Sequence, residues 1–179
     1  GGSHPARVRL LKEEMIAFQA GMAFLKRKQK RHQAFPLSKE NEWTKEVKSN
    51  FPFQLTEAQA RVVREIKEDL SHAVPMMRLV QGDVGSGKTV VGALAAALAL
   101  DSSFQVAFMA PTTLLAEQHF LSLKSFFNKQ AGKVALLTGS TSSSQRKKIL
   151  QDLKDSKIKL IVGTHALFQK SVEFSNLAL

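Results

Sequence analysis

Gly82-Asp83-Val84-Gly85-Ser86-Gly87-Lys88-Thr89 is the stretch that decides how this chain is read. It satisfies G-x-x-x-x-G-K-[ST] at every fixed position. Glycines let the backbone curl so that successive N–H groups point into one concavity, which binds phosphate oxygens. Lys88 can reach the β- and γ-phosphates, and the Thr89 hydroxyl can ligate Mg²⁺. Such a loop should follow a buried strand and open a helix. Met76–Gln81 is short and mostly apolar, and predicts the strand; Thr89–Leu100 is almost wholly apolar, and predicts the helix. The positive N-terminal end of that helix would face the same anion. Strand, loop and helix agree on a nucleotide-phosphate site, against the bland reading of a glycine-rich turn with a chance lysine.

Downstream the alternation continues. The pattern predicts strands over Gln105–Ala110, Lys133–Thr138 and Ile158–Val162, with helices over Leu114–Phe127 and Ser142–Asp155 between them. Strands separated by helices imply an α/β fold, a parallel sheet flanked by helices. Ligands of such sheets bind beyond the C-terminal strand ends. Three polar exits fall there: Ala110-Pro111-Thr112-Thr113, Leu137-Thr138-Gly139-Ser140 and Val162-Gly163-Thr164-His165. Each carries hydroxyls and can present backbone N–H groups, which suits phosphodiester contacts. Each is also compatible with an ordinary turn and helix cap. His165 has no carboxylate partner in view that would make it a catalytic base.

Upstream of the loop, Thr56 predicts a helix N-cap, with Gln59 completing a capping box and Val62, Val63, Ile66 and Leu70 forming the buried face. Gln59 has a second reading, an amide that pairs with the edge of adenine. Spacing favours the cap. Residues 36–52 are polar, lack a clear period and contain the single Trp, Trp43; they read as a linker. A long helix is predicted over 6–31, with an apolar stripe of Val8, Leu11, Met15, Phe18, Met22 and Leu25. It ends in Lys26, Arg27, Lys28, Lys30 and Arg31, which suit either phosphates or a solvated helix end. Residues 1–4 look like a tag remnant.

With 179 residues and 44% apolar content the chain can bury a real core. No window approaches the run of about 18 apolar residues that a membrane helix needs, so no membrane partner is expected. The lack of cysteine excludes disulfides and thiolate metal sites, and fits a cytoplasmic protein. Net charge is +11, and residues 1–50 hold 11 Lys/Arg against 5 Asp/Glu. A field of that sign favours a polyanion, nucleic acid before membrane.

Nucleotide hydrolysis in this kind of fold needs an apolar strand ending in an acidic residue. Ala97-Leu98-Ala99-Leu100-Asp101 mimics one but lies at the far end of the loop helix. Asp83 is inside the loop and Glu117 inside a helix. The last residues, Asn176-Leu177-Ala178-Leu179, read as the start of another strand, with the acidic motif expected just beyond.

QGDVGSGKT (81–89), APTTLLAEQH (110–119), LTGS (137–140) and VGTHALF (162–168) resemble the ordered motifs of superfamily 2 helicases. FQLTEAQARVVREI (53–66) and VPMMRLVQGDVGSGKT (74–89) are similar to the bacterial ATP-dependent DNA helicases that remodel forks and branched junctions. Transcription-repair coupling translocases share the GDVG-x-GKT loop and the APTTLLA segment. The resemblance covers roughly residues 5–179. It implies a P-loop NTPase with a RecA-like sheet over 53–179, incomplete at its C-terminus. It also implies that 36–52 are a linker and 5–35 a connector helix from a DNA-binding wedge domain. ATP and Mg²⁺ are the implied cofactors. Gly82, Asp83, Val84, Gly85, Ser86, Gly87, Lys88 and Thr89 would hold the phosphates; Lys88 and Thr89 would be catalytic, Thr89 the metal ligand and Gln59 the adenine reader. Pro111, Thr112, Thr138, Gly139, Thr164 and His165 would line the path of branched DNA, such as forks and Holliday junctions. These residues alone are expected to bind nucleotide without hydrolysing it. A non-helicase P-loop protein such as a small-molecule kinase is the alternative, but it would need an arginine-bearing lid, and no such segment is visible.

Overall fold

A computed structural model describes residues 33–179 apart from Pro52, together with residues 9, 13, 15, 16 and 19–21. The latter group is helical. The rest of the helix expected over 6–31, including the basic run Lys26–Arg31, lies outside the described residues.

The elements run α1 (Glu42–Asn50), α2 (Glu57–Leu70), α3 (Lys88–Asp101), β1 (Val106–Met109), α4 (Thr113–Phe126), β2 (Val134–Leu137), α5 (Ser143–Lys154) and β3 (Leu160–Gly163). Short 3₁₀ turns occupy Asn128–Lys133 and His165–Phe168. The three strands form a parallel sheet in the order β1-β3-β2. Boundaries follow local chemistry. Thr56, Thr112 and Ser142 each accept an N–H three residues on, from Gln59, Leu115 and Gln145, and so start α2, α4 and α5.

Strand side chains alternate between two cores. Val106, Val134, Leu160 and Val162 face the large cluster built with α1 to α4. Ala135, Leu137 and Ile161 face the other way, onto Leu153 of α5 and onto Ala166 and Leu167. Helices therefore cover both faces, as an apolar parallel sheet requires. The fold class expected from the alternation is the one observed.

Two expectations give way. Residues 36–52 are not a featureless linker, because α1 lies inside them. Trp43 and Val47 are buried, and the Trp43 ring meets Phe127 edge-on at 5.3 Å. These two are the apolar anchors of α1, and polar Thr44 and Glu46 complete its buried face. Glu46 accepts the Lys129 N–H at the start of a 3₁₀ turn. A short helix with so few apolar residues shows no period in the sequence.

The second concerns Met76–Gln81, which form no strand ladder among the described residues. The free edge of β1 is taken by residues 176–179, where Gln105 N donates to Asn176 O, Ala178 N to Gln105 O and Ala107 N to Leu179 O. Residues 76–81 are held from α2 instead: Arg78 bonds Asp69 at 2.8 Å and Glu65 at 2.6 Å, while Met76 and Val80 pack on the core. The carboxylates raise the Arg78 pKa, Asp69 foremost.

Asp101, the last residue of α3, is buried and accepts from Asn41 N (2.7 Å), Trp43 N (2.9 Å) and Thr44 N (3.0 Å). It caps α1 from another element, which explains why Asn41 makes no side-chain cap bond. Asp101→Ala should leave these donors unpaired and cost about 2–3 kcal/mol. Urea denaturation should show a lower midpoint at an unchanged m-value, with Asp101→Asn recovering part of the loss.

Glu40 joins the same region to α2, bonding Lys48 at 2.8 Å and Lys67 at 2.6 Å. These bonds, Lys48 first, lower its pKa from 4.5 to about 2. Its contribution is therefore full above pH 4.5 and is lost as the pH falls toward 2. Glu40→Gln should flatten the stability–pH curve over that window by about 1 kcal/mol, the shift being discounted for solvent screening.

Candidate functional site

The phosphate loop has the conformation its glycines are needed for. Gly85 and Gly87 sit at φ 82° and 79°, in the left-handed region. Gly87 is the N-cap of α3 and supplies no side-chain cap, so no side chain competes for the N–H groups that open the helix beside the loop. Lys88 Nζ donates to Gly82 O at 2.6 Å and to Asp83 O at 2.7 Å, which lays its ammonium across that concavity.

Gln59 serves two elements at once. Its Oε1 accepts from Thr56 N (2.9 Å) and its N–H goes to Thr56 Oγ1, so the capping box is present. Its Nε2 donates to Ser86 O (2.9 Å) inside the loop. One side chain caps α2 and ties it to the phosphate loop. Reading adenine with both amide atoms would require it to exchange these partners. A cleft of about 460 Å³ opens between Gln59, Val62, Gly82, Asp83, Ser86 and Lys88.

Strand register fixes where the exits lie. Met109 and Leu137 both pair with Gly163, so the three strands end level. Pro111-Thr112, Thr164-His165 and Thr138-Gly139 thus stand side by side along one edge, in the order of the strands. Pro111, Thr112, Gly139 and His165 are exposed. Thr138 and Thr164 are buried; the Thr138 N–H goes to Thr141 Oγ1 (3.0 Å) and its hydroxyl meets that of Ser140 at 2.8 Å. Gly92, one turn into α3, lies against the ring of Phe108 near the end of β1. The phosphate loop therefore opens at the same edge as the exits. Among the described residues no cluster of three His, Cys, Asp or Glu could hold a metal, and no helix is long and apolar enough to cross a membrane.

A glycine-rich loop opening a buried helix, beside a parallel sheet whose polar strand ends share its edge, defines a P-loop nucleotide-binding domain. The chain belongs to the DEAD/DEAH box helicase family, whose model matches residues 56–179. It is similar to the ATP-dependent DNA helicase RecG of Pasteurella multocida, 46% identical over 178 residues, which cover 99% of this chain and 26% of that protein. RecG of Aquifex aeolicus is 42% identical over 169 residues, 94% of this chain and 21% of that one. A solved structure of RecG bound to a three-way DNA junction matches with a TM-score of 0.86 at 42% identity, over 96% of this chain and 24% of the other. The chain spans about a quarter of the length of these relatives. The helicase resemblance carried by the sequence motifs is borne out.

Sequence reasoning does not find the bond from Gln59 to Ser86, since no spacing rule joins positions so far apart. A Cβ on Gly87 would overlap Gln59 Nε2, and its left-handed φ would strain any other residue. Gly87→Ala should lower stability by about 1–2 kcal/mol, measured by urea denaturation. In a Gln59→Ala background the substitution should cost less, because only the backbone strain remains.

Proposed function

We propose that these residues form the first RecA-like domain of the motor of an ATP-dependent DNA helicase acting on branched DNA. Residues 5–35 would be the connector to a further DNA-binding domain. The observation that supports this best is the sharing of one edge by the phosphate loop and the three polar strand exits. A motor must hold nucleotide and nucleic acid close enough for one to act on the other. Similarity to RecG proteins, and to the one solved on a three-way junction, supports branched DNA as the substrate.

The residues present fit the triphosphate. The first-turn N–H groups of α3 would take phosphate oxygens, and Lys88 would exchange its carbonyl partners for the β- and γ-phosphates. The Thr89 hydroxyl would ligate Mg²⁺, whose role when bound is to neutralise phosphate charge. Gln59 would hold the loop against α2 and offer its amide at the mouth of the cleft. Pro111, Thr112, Thr138, Gly139, Thr164 and His165 would support the phosphodiester backbone, the buried threonines by fixing the turns. β1, β2 and β3 end at Met109, Leu137 and Gly163, so no described strand ends in a carboxylate that could orient an attacking water.

These residues should therefore bind nucleotide without turning it over. Titration with a fluorescent ADP and Mg²⁺ should give saturable binding that Lys88→Ala weakens about tenfold or more, the loss of one charge-assisted phosphate contact. Equal binding by the variant would remove Lys88 from the site. DNA-stimulated ATP turnover by the pure chain would refute the expectation that it does not hydrolyse.

A further inference from the structure

We infer that Phe168 is a stacking platform for an unpaired base of DNA, flanked by Arg146 and Lys170 as phosphate partners. The inference rests on the reading of the strand exits as a nucleic-acid path, and adds to it a residue that contacts the bases.

Phe168 ends the 3₁₀ turn that follows Thr164, on the exit edge. The residue is 76% exposed and belongs to neither core. The turn beneath it is fixed: Ala166 and Leu167 are buried, and Leu167 N donates to Thr164 O at 3.0 Å. A large apolar ring is thus held outward on a rigid base, and using it costs little further order.

The surroundings say what kind of partner suits it. Arg146, in the first turns of α5, donates to Gln169 Oε1 beside the ring, and Lys170 stands exposed two residues beyond it. The carboxylates of this part of the chain lie at the other end of α5, where Asp152 and Asp155 engage Lys157, and Glu173 engages Lys154. An apolar protein surface closing over Phe168 would strip water from those cations without pairing them, which is costly. A nucleotide satisfies both demands, its base stacking on the ring and its phosphates meeting the cations. Stacking of this kind tolerates any base, because every base has a π-face.

The test measures anisotropy of labelled oligo-dT and of a blunt duplex with the whole chain, across a salt series. Phe168→Ala and Phe168→Leu should each weaken oligo-dT binding about tenfold, at an unchanged salt slope and with duplex binding unaltered. Phe168→Trp should keep the affinity, and its added emission should be quenched by oligo-dT. Gly139→Glu puts an anion on the exit edge where a side chain meets open space, and should weaken both DNAs. If Gly139→Glu weakens binding while Phe168→Ala or Phe168→Leu binds as the parent does, the edge stands and the stacking role is overturned. If oligo-dT fails to bind, or neither substitution matters, the edge reading fails and takes this inference with it.

Discussion

The structure depends on one buried helix that is committed at both ends. Every residue of α3 from Ala93 to Asp101 is buried. Its N-terminus carries the phosphate loop, and its C-terminus carries Asp101, whose carboxylate takes three N–H groups from the start of α1. A carboxylate at a helix C-terminus is poorly placed for its own helix dipole, but here it meets the positive end of another. The arrangement fixes where α1 sits, and α1 closes one side of the large core through Trp43 and Val47. The loop end of α3 is then left to face the cleft, because the other end and the flanks are already occupied.

A second polar anchor does for the sheet what Asp101 does for the helices. Gln105 is fully buried, and its Nε2 donates to Leu153 O at 2.7 Å and Ile158 O at 2.8 Å. Its Oε1 accepts from Ser175 N at 2.9 Å and Asn176 N at 3.1 Å. One amide thus joins the end of α5, the approach to β3 and the segment that borders β1. A buried amide with its partners complete is stabilising, and with any partner removed it is costly. β1 and β3 start beside this point, and the register that β3 shares with β1 and β2 carries the alignment through to the exits.

Much of this is legible in the sequence, and the unread part has a common cause. Periodicity locates α2 to α5 and the three strands to within a residue or two, and cap chemistry at Thr56 marks where α2 begins. The glycine pattern locates the phosphate loop. What periodicity cannot show is a polar side chain satisfied by a distant backbone. In sequence Asp101 resembles an acidic strand end, Gln105 an ordinary first strand residue, and Gln59 a choice between helix cap and adenine reader, with nothing to show that it also ties α2 to the loop. Met76–Gln81 misleads for a related reason: its apolar content describes the segment, but a strand also needs a neighbour, and β1 has residues 176–179 there.

Gly163 shows how a residue's meaning changes between sequence and fold. In the sequence it stands in a polar exit, where glycine suggests a flexible turn. In the structure it is the last residue of the central strand, paired on both sides, and its φ is not in the left-handed region. A Cβ there would overlap the Leu137 carbonyl oxygen, which is backbone and has nowhere to move, and would crowd the Leu167 side chain. Glycine is required for its lack of bulk. It lets Leu167 dock under the strand end, so that Thr164 and His165 leave β3 level with the exits of β1 and β2. The edge is even because its centre is the place where no side chain fits.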